Sequence, residues 1–401
     1  MHPFRAILPL LLVVACADAS KPAPAFTTRD SLGVTIAENA MATVTASCTV
    51  DSVPSLRIGS AEDSEDSYLH RVMGGSRLTD GRIAVVNQGT QEVRWYDSTG
   101  ALVGRAGREG KGPGEFTDAF LVYRTVGDTL WVGDYSPWQW HLFGPDMKFV
   151  RTVVTAPSEI NSPDVAAIFD DGQQIFGKSG LGQRANWAMD SVTILRYGPN
   201  GALRDTVMGV PSGRKGQTVA DPGAIWMGPW FEGAAQVEGT GDRLAVATWN
   251  EPELVIYTVG QKVVPSLVIR WTTPDRTVTD SAVAAARAQL AAQYPDISPD
   301  MKARLVDPML DPKRPVAERY PAVTNIVMGK DGRIWVRGRA ATDSPRRRWI
   351  AFSREGRALC RAELPALEIY EIGSDYLLGH ERDSLGVESV VTYRLRDAVT
   401  P

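Results

Sequence analysis

His380 is the residue of this chain best suited to acid–base work, because its neutral imidazole can take a proton near neutral pH. A general base acts on a partner, and the sequence sets no serine or cysteine nucleophile beside it. A histidine at a strand end is ordinarily a hydrogen-bonded structural residue. No Gly-x-Ser-x-Gly elbow, His-Glu-x-x-His pair or Walker loop occurs. The glycine-rich run Gly107-Arg108-Glu109-Gly110-Lys111-Gly112-Pro113-Gly114 lacks the Lys-Ser/Thr pair of a phosphate cradle and leads into a strand. Aromatic and basic side chains give a different signal. Tyr135, Trp138 and Trp140 stand close together, as do Trp226, Trp230 and Phe231. Trp249 is next to Asn250, and Arg337 and Arg339 precede the run Arg346-Arg347-Arg348. Tryptophan near Asn, Asp and Arg is the composition of a groove for sugars or peptides. The plainer alternative is that these tryptophans pack in the core and that the arginine run is a solvated loop.

The elements that must position these residues repeat along the chain. A tight turn carrying Asp or Gly precedes an alternating apolar strand six times, at 82, 129, 173, 243, 333 and 376. Asp80-Gly81-Arg82-Ile83-Ala84-Val85 and Asp331-Gly332-Arg333-Ile334-Trp335-Val336 show the form. Asp-Gly between apolar runs marks a hairpin, because glycine takes positive φ without steric cost. Each unit also holds a second hairpin, such as Val93–Asp97 turning at Gly100 into Ala101–Arg105. Four short strands at a period of about 40–50 residues define a β-propeller blade. The fold class is therefore all-β: a six-bladed propeller over 28–396. The last unit is one strand short. Pro54-Ser55-Leu56-Arg57-Ile58-Gly59 is expected to supply it as an N-terminal strand that closes the ring and removes an open sheet edge. A helical insertion at about 278–319 is expected between blades four and five, with Thr279 capping the first helix and Ser298-Pro299 starting the second. It and the stretch 211–235 leave outer strands, so both are expected on one face, here called upper, either over the channel or as solvated decoration.

Composition bounds the rest. The chain is 43% hydrophobic and 22% charged, which excludes wholesale disorder. A net charge of −4 is too balanced for a nucleic-acid-binding surface across the protein. The 37 Gly and 26 Pro suit a fold built from turns. Arg5 followed by the apolar run Ala6–Ala15 reads as a signal peptide over 1–15, too short to span a bilayer. Residues 16–27, rich in Ala and Pro, read as a tether, and 397–401 as a tail. Cys48 and Cys360 remain as an even pair in an oxidising compartment. Whether they lie within bridging distance is open at this level.

Two resemblances add to this reading. Val13-Val14-Ala15-Cys16 resembles the lipobox of bacterial lipoproteins, with Val where the pattern prefers Leu. The resemblance implies lipidation at Cys16 and, with Ala17 next to it, the outer membrane. An ordinary secretory signal with an incidental cysteine is the alternative. Gly107–Phe116 resembles the inter-blade loop of NHL-type propellers, and Asp30–Ile36 with Leu56–Gly59 resembles the opening of bacterial six-bladed propeller lipoproteins. Calcium-dependent lactonases of this architecture gather Asn, Asp and Glu at the channel mouth, and equivalent positions here are Asn87, Asp134, Asn250 and Asn325. The Lys178, Arg337 and His380 that share those positions oppose a cation site. The ligand-binding candidates are thus Asn87, Asp134, Trp138, Trp140, Trp249, Asn250, Arg337 and His380, with no catalytic residue or metal ligand assigned. The leading expectation is a monomeric, envelope-anchored lipoprotein that binds or scaffolds a peptide, glycan or envelope protein and needs no cofactor. A propeller hydrolase or lyase, lactonase-like with Ca²⁺, and a purely structural envelope protein are the alternatives.

Overall fold

The computed structural model of the chain describes residues 24–59, 68–135, 138–155, 164–180, 187–219, 225–339 and 346–397. The signal peptide, Cys16, most of the tether and the end of the tail lie outside them. Six antiparallel sheets follow one another along the chain, each with its first strand innermost. These inner strands are Val72–Arg77, Ala119–Thr125, Asp164–Ile168, Gln236–Thr240, Asn325–Met328 and Glu368–Ile372.

The repeated turns obey one local rule. In Asp80-Gly81-Arg82 the aspartate Oδ1 accepts from the backbone N–H two residues on, at 3.0 Å. Asp171 and Asp331 do the same to Gln173 and Arg333, each at 3.0 Å. The glycine between them takes φ of +91° at Gly81 and +85° at Gly332, a region that disfavours any Cβ. Three blades thus share one side-chain-locked turn, and the repeat in the sequence is a repeat in hydrogen bonding.

The core consists of six apolar clusters, each between successive blades. Trp95, Phe116 and Phe143 lie between blades one and two. Trp131, Trp138, Trp140, Phe176 and Tyr197 lie between two and three. Trp335, Trp349 and Tyr393 lie between five and six. Nine of the eleven tryptophans are buried; only Trp187 and Trp226 are not. Burying a large apolar side chain contributes roughly 1.5–3 kcal/mol, so these rings serve first to cement the ring of blades.

The N-terminus closes the propeller as expected, with Leu56–Ile58 pairing antiparallel to Val390–Thr392 of the last strand. It also does more. A hairpin of Phe26–Ser31 and Val34–Asn39 adds to the outer edge of blade four, the second strand running parallel to Leu267–Trp271. Ser47 then bridges Arg361 on the outer strand of blade five, and Thr49–Val50 pairs with the end of blade six. One strap therefore covers the outer rim of three successive blades, where exposed sheet edges invite pairing with other chains. Cys48 and Cys360 are joined within it, their Cα atoms 5.6 Å apart and 312 residues apart in sequence.

The helical insertion is present. Its first helix, Asp280–Ala292, is capped by the Thr279 side chain accepting from Ala282 N–H. Ser298 caps Pro299–Met301, and a π turn over Lys302–Val306 leads to Asp307–Leu310. The stretch expected as a loop from 211 begins later, because the outer strand of blade three runs on to Lys215. The two insertions touch: Trp230 N–H donates to the Pro315 carbonyl at 2.8 Å, and Thr218 Oγ1 donates to that of Pro308 at 2.9 Å. No helix among the described residues is long and apolar enough to cross a membrane.

Candidate functional site

The eight ligand-binding candidates separate into three places. Trp138 and Trp140 are 3% and 0% exposed, stacked edge to face at 5.5 Å in the core between blades two and three. Trp140 Nε1 donates to Gln174 Oε1 at 3.0 Å. These rings present no face to a ligand in this structure, because the aromatic walls of adjacent blades enclose them.

Asn87, Asp134 and His380 lie at the upper channel mouth between blades six, one and two. The first two are fully buried and fastened to the backbone. Asn87 Oδ1 accepts from His70 N–H at 2.8 Å, and its amide donates to Thr90 Oγ1 at 2.8 Å. Asp134 accepts from Thr117 N–H at 3.1 Å, Thr117 Oγ1 at 2.9 Å and Asp118 N–H at 2.7 Å. Burial opposes its ionisation, but the bonds from His141, Asp118 and Thr117 prevail and hold its carboxyl below the usual range. Oxygens engaged in this way are not free for Ca²⁺, which needs six to eight of them. No group of three His, Cys, Asp or Glu among the described residues is placed to hold a metal. The donor set does not fit a lactonase-like calcium centre.

His380 is 6% exposed. Its Nδ1 lies 3.5 Å from Glu368 Oε2 and its Nε2 lies 3.9 Å from Glu388 Oε2, so Nε2 is buried with no hydrogen-bond partner. The Tyr370 ring stacks parallel to it at 6.2 Å, and burial pushes the Tyr370 phenol well up. Glu388 is the hub: its Oε2 accepts from Val72 N–H at 2.7 Å, and its Oε1 pairs with Arg382 at 2.5 Å.

In front of this group lies a cavity of about 310 Å³. Arg71, Gln88, Asp118, Tyr135 and Arg382 supply its polar wall, with Met73 and Phe120 the apolar part. Gln88 is 4% exposed; its Nε2 donates to Asp118 Oδ1 at 2.5 Å, while its Oε1 is buried without a donor. Arg71 has φ of +54°, a left-handed conformation that a non-glycine residue adopts at some cost. Gln88 N–H donating to the Arg71 carbonyl at 3.1 Å helps hold it. Its guanidinium has no ion-pair partner among the described residues. No residue of the helical insertion lines this cavity. The sequence reading missed Arg71, Gln88, Asp118 and Arg382, although Gln88 follows Asn87 and Arg382 is two residues from His380. Inner-strand bulges at Val72/Gly74, and beside Gly133, shift which residues face the mouth, and no period-two count reveals them.

Trp249, Asn250 and Arg337 form the third place, above blades four and five. Trp249 is 7% exposed, and its carbonyl accepts from Ala322 and Val323 N–H at 2.6 and 3.1 Å. Arg337 donates to Thr324 Oγ1 at 3.0 Å and to its carbonyl at 3.3 Å. Burial, and Arg347 nearby, push its pKa down. A larger rim cleft of about 550 Å³ lies beside Glu38, Glu253 and Arg270, but these side chains already pair with one another.

No family model matches the chain, and no curated protein matches it in sequence. Solved structures do resemble it. A protein of Bacteroides fragilis assigned as exported is 11% identical, with 88% of this chain and 99% of that one aligned at a TM-score of 0.47. A gluconolactonase of Xanthomonas campestris is 10% identical over 87% and 97% of the two chains, at 0.40. A virginiamycin B lyase of Staphylococcus aureus is 11% identical over 81% of each, at 0.37. At these values the likeness carries no activity across, and the six sheets of the chain itself define its architecture.

Proposed function

We propose that the chain is an exported, lipid-anchored propeller that binds the acidic end of a peptide or glycan at its upper channel mouth. The observation that carries this reading is the mouth cavity, where an unpaired guanidinium, Arg71, faces the same space as a buried amide oxygen lacking a donor, Gln88 Oε1. Buried polar atoms are normally satisfied. A ligand with a carboxylate beside an N–H or O–H group meets both needs: a peptide C-terminus or a uronic acid. The disulfide between Cys48 and Cys360 supports an oxidising compartment, and the lipobox-like sequence at Cys16 supports the anchor.

The test is calorimetric titration of the protein with N-acetyl-dialanine and with digalacturonate. Saturable binding by either, weakened about tenfold or more by Arg71→Ala, is expected from loss of one charge-assisted contact. Binding by neither probe, or binding indifferent to Arg71→Ala, would sink the proposal. A second reading makes the mouth catalytic, favoured by one observation: His380 stands between the carboxylates of Glu368 and Glu388, as a general base is oriented. Product formation from a bound probe, abolished by His380→Ala with binding retained, would replace the binding-only reading.

A further inference from the structure

Beside the two upper insertions runs a line of arginines with no carboxylate at salt-bridge distance among the described residues, Glu251 acting on Arg276 only from further away. Arg314 lies over the Trp230 ring at 4.2 Å. Trp230 is 6.3 Å from Phe231, which meets Tyr320 edge to face at 5.1 Å. Arg339 packs over both of these rings, 3.1 Å from the Tyr320 centroid and 4.7 Å from that of Phe231. Arg276 reaches the same place, donating to the Tyr320 carbonyl at 2.6 Å and to that of Asn250 at 2.8 Å.

Several buried or half-buried arginines elsewhere in this protein are paired. Arg94 has Glu92 at 2.8 Å, and Arg214 has Glu232 at 2.6 Å. Arg276, Arg314 and Arg339 have no such carboxylate among the described residues. Carbonyls and ring faces stand in for it, incompletely. Arg314 donates Nε to the Gly228 carbonyl at 2.9 Å and Nη1 to that of Met309 at 3.2 Å. Arg339 has no hydrogen-bond acceptor among the described residues, and its Nη1 is buried without a partner there. Arg287, which repels Arg314, has a buried Nε in the same condition. Burial lowers the pKa of Arg276, Arg314 and Arg339, the response of a cation short of compensation. Guanidinium does not deprotonate to escape this cost.

A stacked guanidinium keeps its edge donors in a fixed fork, which matches two oxygens of a carboxylate or phosphate. We infer that this shelf above blades four and five, centred on Arg339 with Arg314 and Arg276 beside it, is an oxyanion-binding site for a ligand bearing more than one carboxylate or phosphate group. The site stands apart from the channel mouth, whose lining shares no residue with it. It gives a role to Arg339 that packing alone does not supply.

Titration of the full chain with tricarballylate, a tricarboxylate without the hydroxyl that the mouth would read, and with pyrophosphate, each at constant ionic strength in NaCl, tests this. One saturable site is expected for at least one probe. Tricarballylate alone identifies a carboxylate ligand, and pyrophosphate alone a phosphate ligand. Arg339→Met, which keeps an apolar side chain against Tyr320 and removes the fork, should weaken binding about tenfold or more. Arg339→Lys, which keeps the charge and loses the fork, should fall between. Arg71→Ala, at the channel mouth, should leave it unchanged, so that failure here is separable from failure of the mouth reading. If Arg339→Met misfolds, Arg314→Met serves in its place. Absence of binding by both probes, or affinity equal in wild type and both methionine variants, would overturn the inference.

Discussion

Opening the bond between Cys48 and Cys360 is the sharpest perturbation of the strap. The bond closes a loop of 312 residues. For a loop of that length the chain-entropy relation gives about 5–6 kcal/mol of lost unfolded-state freedom at 25 °C. The measured loss should be smaller, about 2–5 kcal/mol, because removal of native disulfides usually falls in that range. Unfolding entropy for a domain of this size is about 0.8 kcal/mol per kelvin, so the midpoint should fall by about 3–6 °C. Both cysteines are at least 95% buried. Serine would therefore add a desolvation penalty, and Cys48→Ala with Cys360→Ala is the cleaner double variant. Differential scanning calorimetry of the oxidised wild type, the wild type unfolded in reductant and the double variant gives three midpoints. The last two should agree within a degree or two and lie below the first. The strap is also paired through Val34–Asn39 and Leu56–Ile58, so the folded ring should persist. Equal midpoints for all three samples would refute the reasoning, since they would mean that the strap detaches before the blades unfold and that its closure is irrelevant to the global transition.

Asp134→Ala should cost about 2–3 kcal/mol, because it strands the partly buried N–H groups of Thr117 and Asp118; a thermal midpoint within a degree of wild type contradicts the role given to it. Its folded-state pKa is depressed, so that share of stability is present above the unfolded value near 4 and is lost as pH falls through the folded one. Glu238, on the inner strand of blade four, has the opposite sign: burial pushes its carboxyl up to about 8, against a smaller opposing pull from Lys330. It binds its proton more tightly folded than unfolded, so stability should decline as pH rises from 4.5 to about 8 and level off beyond. The side chain is only partly buried by exposed area, so the decline should be about 1–2 kcal/mol rather than the ceiling of about 5 kcal/mol. Glu238→Gln should flatten midpoints measured between pH 5 and 8, and an unchanged slope contradicts the assignment. Cys16→Ser should move the protein from the membrane to the soluble envelope fraction on cell fractionation, with loss of palmitate labelling; persistent labelling excludes the lipobox reading.

The ring of blades was legible because its determinants are local. Asp80-Gly81-Arg82 and Asp331-Gly332-Arg333 fix their turns through bonds two residues long, and the alternation after them fixes the strands. The strand at Leu56–Ile58 was legible for a related reason: a sixth blade with three strands demands a fourth. The parallel docking of Val34–Asn39 on blade four was not, since nothing in those six residues names a partner more than 200 positions away. The tryptophans misled for a physical reason. A propeller with radial sheets buries large rings between blades, and a strand-end position such as Trp138 faces a neighbouring blade as readily as the solvent. The mouth cavity escaped because bulges choose its lining residues, and the arginine shelf because stacking joins Arg339 of blade five to Tyr320 and to Phe231 of the first insertion, far apart in sequence.

The two unpaired arginine sites and the satisfied carboxylates belong to one pattern. On the lower side of the ring, Asp80, Asp171 and Asp331 spend their oxygens on their own turns. At the upper mouth, Asp134 and Glu388 spend theirs on neighbouring backbone N–H groups. These five carboxylates are structural, consumed in holding inner strands and turns in place. Two groups of cations without an ion pair among the described residues, Arg71 and the cluster around Arg339, sit on the upper face, beyond the strap and beyond the turns. A chain of net charge −4 that gathers these cations on one face, Arg71 exposed and the Arg339 cluster half-buried, presents a local sign there opposite to its global one. Such an arrangement weakens long-range attraction of anions while strengthening it at contact, because desolvated donors act in a lower dielectric. On the proposed reading, selectivity for an acidic ligand comes from the fit of the fork rather than from bulk charge. It should persist at ionic strengths that abolish steering, with association rates falling with added salt far more than affinity does.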